Sequence, residues 1–274
     1  MRIASSTAIT LIMRFSDKKT SNGMAMFMAN YAVCSLLSYF YMGSTPVFAS
    51  EPGIGFTLGI GAISGVWYLV GFLFMQWNMR ENGVVLSSTF NRLGVLVPTI
   101  MAMVVFKESP KMVHVIGILI ALVAIVMMQF EKDSVSEGNK KIWLVVMLLS
   151  SGFCDSLTNI YDKVGNPVLK DNYLLYTFFV ALLCTIVLTF REKNKINKWD
   201  ILFGLIIGIP NYYSSWFMFE ALKSVPAVIA YPVSSVGTIL AISVGSVILF
   251  KEKVSNQKKI ALVLVMAAMA LMNL

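Results

Sequence analysis

Long apolar runs alternate with short polar breaks along the whole chain. Most runs are close to the roughly 20 residues that a helix rising about 1.5 Å per residue needs to cross a bilayer core. The pattern predicts ten helical spans, at 1-15, 24-43, 54-77, 83-106, 111-130, 142-161, 172-190, 200-222, 226-250 and 257-273. Hydrocarbon offers the backbone no water to bond, so helix is the form expected for each. The longest hydrophilic stretch, EKDSVSEGNKK at 131-141, divides the spans five and five. The expected fold class is all-α integral membrane: a first five-helix repeat at 1-130, a linker at 131-141 and a second repeat at 142-274.

The two halves match in register. Gly61 and Gly65 (GAISG) correspond to Gly204 and Gly208 (GLIIG), Phe74-Met75 to Phe217-Met218, and Gly94 to Gly237. One residue out of step, Phe106-Lys107-Glu108 returns as Phe250-Lys251-Glu252, while Ser5-Ser6 and Asp17-Lys18 return as Ser150-Ser151 and Asp162-Lys163. Five is odd, so the second copy enters the membrane from the opposite side. That is an inverted repeat, for which a site near the midplane between the halves is expected. The first span is short against its counterpart: eight apolar residues, Ile142 to Leu149, precede Ser150-Ser151, but only Met1 to Ala4 precede Ser5-Ser6. Either the start lies upstream or this helix does not fully cross. A signal peptide is the other reading of a short N-terminal apolar run, but residues 1-15 lack a convincing basic n-region and the repeat claims them as helix.

Against this apolar ground the buried charges stand out. Arg92 falls near the middle of the fourth span, where a guanidinium costs several kcal/mol unless it faces the bundle interior or a wet cavity. Ser88, Asn91, Arg92, Val95 and Thr99 share its helical face, and Tyr231, Ser234, Ser235 and Thr238 have matching spacing in the ninth span. On the sixth span Asp155 continues a polar face with Thr158, Asn159 and Asp162. It reads either as a proton-coupling carboxylate or as the counter-ion of Arg92. The repeat register sets Thr10 against Asp155 and Arg14 against Asn159. Tyr213, Trp216 and Glu220, at i, i+3 and i+7, form an acidic and aromatic cluster. It fits a cationic or zwitterionic ligand or, equally, interfacial anchoring. Trp67 and Tyr231 lie deeper in their spans. The candidate substrate-binding set is Arg92, Asn91, Asp155, Asn159, Trp216, Glu220, Tyr231, Tyr213, Trp67 and Arg14.

Composition excludes more than it adds. With 57% hydrophobic and 13% charged residues, the chain is not a soluble domain, and its 22 Lys+Arg against 14 Asp+Glu sit in short loops as topology signals rather than as a nucleic-acid surface. Cys34, Cys154 and Cys184 all lie in apolar runs, so no disulfide framework is implied. With a single histidine, His114, and no paired cysteines or acidic cluster, a zinc or iron site has little to be built from, and no cofactor is expected. The glycines of PGIGFTLGIGAISG, 52-65, suit close helix packing better than a nucleotide fingerprint, and no phosphate-binding loop occurs. Pro98, Pro210 and Pro232 fall in or near spans, where each can kink its helix.

Two stretches carry a resemblance. Phe219 to Met272, with an Ala-Leu run, a Pro turn, a long span ending in Glu and a last span, and Phe106 to Met127, with Glu108 and Gly117, resemble the EamA-type members of the drug/metabolite transporter superfamily. The resemblance covers nearly the whole chain, although Trp-Gly near the start is absent. It implies ten helices, transport rather than catalysis, and a multi-pass place in the cell membrane with cytoplasmic termini. The Lys/Arg loop count disagrees and favours termini outside. The expected function is secondary active transport of a small polar metabolite, an amino acid or other zwitterion or anion, by alternating access, with proton coupling through Asp155. The alternative, a membrane-embedded enzyme or lipid-modifying protein, would need a clustered nucleophile or acid/base pair, and His114 stands alone. Oligomeric state and substrate identity are not written in these residues.

Overall fold

A computed structural model describes residues 1–16, 19–43, 45–82, 90–129, 141–192, 194–250 and 256–272. The described chain is helical, with no strand: α1 (Arg2–Ser16), α2 (Gly23–Tyr41), α3 (Ile54–Asn82), α4 (Leu96–Val104), α5 (Met112–Gln129), α6 (Lys141–Val164), a 3-10 turn (Pro167–Leu169), α7 (Lys170–Arg191), α8 (Lys198–Leu222), α9 (Ala227–Phe250) and α10 (Asn256–Met272). Among the described residues, six segments are long and apolar enough to cross a membrane: Gly23–Tyr41, Ile54–Met75, Ile142–Val164, Pro167–Arg191, Lys198–Leu222 and Ala227–Leu249. Phe90–Val104, Met112–Met127 and Lys259–Met272 are shorter apolar helices. Ser88, Asp17-Lys18, Lys251-Glu252 and the linker at 131-140 lie outside the described residues.

Several hydroxyls inside the helices are satisfied locally. The hydroxyls of Ser38, Thr57, Thr177, Thr185, Ser156 and Thr238 each donate to the carbonyl four residues back, at 2.7–3.0 Å. A hydroxyl can therefore sit in an apolar span without an unpaired donor. Asn22 starts α2 by accepting from the Ala25 amide at 2.9 Å, and Asn166 starts the 3-10 turn by accepting from Val168 at 3.0 Å.

The helices form two compact units, Met1–Leu69 with Ile160–Glu220 and Val70–Asn159 with Ala221–Leu274. Each unit draws on both sides of the linker, and α3, α6 and the last residues of α8 are divided between them.

In the first unit α2 packs on α7. Two glycine pairs let further helices close on them. A Cβ at Gly61 or Gly65 of α3 would meet Tyr173, Tyr176, Thr177 and Val180 of α7, while one at Gly204 or Gly208 of α8 would meet Met26, Ala29, Asn30 and Val33 of α2. Gly55, Gly59 and Gly71 touch nothing in this way, so the packing role of the glycine-rich stretch falls to Gly61 and Gly65. The α1–α2 and α7–α8 junctions are tied by Asp200. Its carboxylate is fully buried and accepts from the amides of Ser21 (2.8 Å), Asn22 (3.3 Å) and Asn197 (2.7 Å).

In the second unit α5 packs on α10 and α4 on α9. Gly117 lies against Ala268 and Met272. Lys107 takes φ +53°, in the left-handed region, and turns the chain after α4 so that the Glu108 carboxylate accepts from the Val228 amide at 2.9 Å. Glu108 thus serves as an anionic cap on the first turn of α9.

Candidate functional site

The second unit builds a polar cluster around an interrupted helix. Residues 90–93 are helical, Gly94 and Val95 form a turn, and α4 begins at Leu96. Pro98 supplies the cause. It has no amide hydrogen for the carbonyl of Gly94, four residues back, and its ring crowds that carbonyl. The Gly94 carbonyl accepts instead from the Val97 amide at 3.0 Å, and the Gly94 amide is shared between the carbonyls of Phe90 (3.2 Å) and Asn91 (3.3 Å). The continuous polar face expected from Ser88 to Thr99 is therefore broken after Arg92. Thr99 belongs to the next segment, where its hydroxyl bonds the Val95 carbonyl at 2.8 Å.

Asn91 and Arg92 stand in the last turn before this break. Ser151 of α6 donates to the Asn91 carbonyl at 3.4 Å, and Gly152 of α6 rests against Gly94 and Val97. Arg92 is half-buried, and among the described residues its guanidinium has no hydrogen-bond or ion-pair partner. The counter-ion reading of Asp155 thus finds no Arg92–Asp155 pair among the described residues.

Gly152, Asp155 and Asn159 lie at i, i+3 and i+7 on α6, one face of the helix. The Asp155 carbonyl accepts from the hydroxyl of Tyr231 on α9 at 2.8 Å, with Tyr231 only 1% exposed. Asn159 is 0% exposed, and neither its amide nitrogen nor its oxygen has a partner among the described residues. An unpaired buried amide costs about 1–3 kcal/mol. The sequence-predicted residues Asn91, Arg92, Asp155, Asn159 and Tyr231 therefore belong to one unit, whose interior holds a cationic group and an unsatisfied amide.

The remaining candidates belong to the first unit. Lys170, the first residue of α7, places its ammonium 2.5 Å from a carboxylate oxygen of Glu220 on α8, 5.0 Å from the centre of the Trp216 ring and 5.6 Å from that of Phe219. The hydroxyls of Tyr213 and Tyr41 are 2.6 Å apart, and Tyr41 also contacts Trp216, ring centres 6.5 Å apart. Phe219 stands edge-on to Tyr161 and Tyr173, which stack on each other at 4.2 Å. Lys170 of the chain itself thus joins Glu220 to Trp216, and Tyr41 joins Trp216 to Tyr213. Trp67 is half-buried on α3, and Arg14 is exposed in the last turn of α1.

Lys170 and Tyr41 were not among the sequence candidates, since nothing local marks partners 50 and 172 residues away. The Gly94-Pro98 spacing, by contrast, is a readable signal of a helix break.

Apolar helices of spanning length with polar groups buried among them define an integral membrane protein of multiple passes. Residues 142–274 match the model of the EamA-like transporter family. An uncharacterised protein of Haemophilus influenzae is 20% identical over 279 residues, covering 97% of this chain and 94% of that one. A Listeria monocytogenes protein provisionally named for sugar uptake is 23% identical over 206 residues, 72% of this chain and 70% of its own length. A solved crystal structure at 14% identity superposes with a TM-score of 0.74 over 98% of this chain and 93% of that one, a likeness of fold.

Proposed function

We propose that the chain is a secondary transporter that carries a small polar metabolite across the cell membrane by alternating access. The observation that carries this reading is the interrupted helix at Gly94-Val95, with Arg92, which has no partner among the described residues, in the turn before it. Discontinuous helices with buried charge at the break are how many secondary transporters build a substrate site. Arg92 and Asn91 bind an anionic group of the substrate, Asn159 supplies an amide donor and acceptor, and Asp155 takes part in proton coupling. An amino acid or other zwitterion or anion is the substrate class that suits an arginine, an amide and a carboxylate carried by the helices of one unit.

The architecture proposed is ten spanning helices in two inverted five-helix repeats, 1-130 and 142-274, with cytoplasmic termini. Supporting it are the glycine contacts of the first unit. In the two helix crossings Met26 takes the place of Tyr173, Ala29 of Tyr176, Asn30 of Thr177 and Val33 of Val180, one constant offset, while Gly61 and Gly65 exchange with Gly204 and Gly208.

A sugar is the second reading. It is favoured by the name of the Listeria relative and by the ring surfaces of Tyr41, Tyr213 and Trp216, against which the apolar faces of a sugar can pack.

Purified protein in sealed vesicles, assayed for exchange of labelled amino acids and sugars, tests the proposal. Amino-acid exchange that is lost in a folded Arg92→Ala variant supports it. Exchange undiminished by Arg92→Ala excludes the site. A rate indifferent to both a pH gradient and Asp155→Asn excludes the coupling.

A further inference from the structure

The start of α7 and the end of α8 build a place for a cation, and the chain fills it with a side chain of its own. The Lys170 ammonium stands 2.5 Å from a Glu220 carboxylate oxygen and over the rings of Trp216 and Phe219, 5.0 and 5.6 Å from their centres. A carboxylate and aromatic faces around one ammonium are also what holds the ammonium of a ligand. Little else fixes Lys170 there. Among the described residues its ammonium donates to Glu220 alone, although it offers further donors. Its stem is flexible, and keeping it in one rotamer costs side-chain entropy. The Glu220 side chain is 33% exposed and Tyr41, beside Trp216, is 48% exposed, so the carboxylate is reached from outside.

A second feature of the same cluster calls for a polar partner. The Tyr212 ring lies 5.5 Å from that of Tyr41 and 5.4 Å from that of Tyr213. Tyr212 is 0% exposed, and its hydroxyl has no hydrogen-bond partner among the described residues. The hydroxyls of Tyr41 and Tyr213, by contrast, pair with each other at 2.6 Å. A buried hydroxyl is normally paired, because burial alone forfeits its bond with water.

We propose that this cluster binds a small organic amine. Glu220 and the faces of Trp216 and Phe219 take its primary ammonium, Tyr212 hydrogen-bonds its second polar group, and Lys170 is a tethered stand-in that the amine displaces. A primary ammonium suits the site better than a quaternary one, because Glu220 is placed to accept a charge-assisted N–H bond. The site belongs to the first unit and does not rest on the transport reading of Arg92, which belongs to the second.

Isothermal titration of the full chain in detergent tests this. The probes are ethanolamine, with an ammonium and a hydroxyl, propylamine, with the ammonium alone, and ethylene glycol, with hydroxyls alone. Both amines are expected to bind, ethanolamine the more tightly, and ethylene glycol is not. With Lys170 docked about nine-tenths of the time, Lys170→Met should bind both amines about tenfold more tightly than the parent. Glu220→Gln should lose both. Tyr212→Phe keeps the ring and should weaken ethanolamine about two- to tenfold, the net worth of one hydrogen bond, while propylamine stays unchanged. A folded Lys170→Met with the parent's amine affinity would show that Lys170 does not occupy the ligand's place. A parent that bound neither amine at about a hundred times the Kd of Lys170→Met would make Lys170 a permanent occupant. Either result overturns the proposal, as would ethylene glycol binding as well as ethanolamine. Should Lys170→Met fail to fold, undiminished amine binding by Glu220→Gln overturns it instead. Tyr212→Phe affecting the two amines alike would remove the hydroxyl from the site. Transport plays no part in this readout, so the amine site stands or falls apart from the transport proposal.

Discussion

Gly94 and Gly152 cross with no side chain between them. A Cβ at Gly152 would overlap the Gly94 carbonyl and stand 2.5 Å from the Cβ of Val97. A Cβ at Gly94 would press mainly on the Ser151 hydroxyl, which can rotate away. Gly152→Ala is therefore predicted to cost about 1–3 kcal/mol, the usual range for overpacking, and Gly94→Ala less. Thermal unfolding in detergent decides the order, and equal melting temperatures for the two variants would contradict the crossing.

Pro98 holds the break open. In Pro98→Ala the new amide can reach the Gly94 carbonyl and extend the helix through Leu93-Gly94. The prediction is unchanged or slightly raised stability together with slower transport in vesicles, because the turn beside Arg92 is lost. A variant that transports at the parental rate would show that the break is curvature only.

How much of this was written in the sequence follows from which interactions are local. Hydropathy located the helices: the span expected at 200-222 is Lys198–Leu222 and that at 226-250 is Ala227–Phe250. Length and apolarity are properties of single segments, so they need no partner to be read. The face shared by Asp155 and Asn159 was legible for the same reason. What escaped depended on distant chain: Lys170 reads as a loop lysine until Glu220 is placed beside it, and Glu108 reads as a span end until Val228 supplies the amide it accepts from. Within the fourth span, spacing alone continues a regular helix through Gly94, whereas Pro98, with no amide for the Gly94 carbonyl, leaves a turn at Gly94-Val95.

Glu108 and Lys107 give a paired prediction at the α4 end. Glu108→Ala removes the acceptor on the Val228 amide and should cost about 0.5–2 kcal/mol, the range for loss of a helix cap. Glu108→Gln keeps an acceptor oxygen and loses only the charge, so it should fall between the parent and the Ala variant. Lys107→Gly should stabilise instead, by roughly 1 kcal/mol, because φ +53° is strained for any residue with a Cβ. The expected order of melting temperatures, highest first, is Lys107→Gly, the parent, Glu108→Gln and Glu108→Ala. A Lys107→Gly variant less stable than the parent would remove the strain argument.

Lys170 and Glu220 form an ion pair whose side chains are 13% and 33% exposed, so solvent screens it only in part. Removing one partner strands the other charge among Trp216 and Phe219. Full burial would put that cost at about 3–5 kcal/mol, and the exposure of Glu220 lowers it to roughly 1–3 kcal/mol. Lys170→Met and Glu220→Gln are each predicted to destabilise by that amount, while the double variant recovers much of the loss because no charge is left unpaired. Chemical unfolding of the four proteins in detergent gives the coupling energy directly. Additive losses would mean that the pair contributes nothing beyond its separate side chains. In that case the Trp216 and Tyr213 rings, not the Lys170 ammonium, would be what holds Glu220 in place, and the carboxylate would be open to a cationic substrate after all.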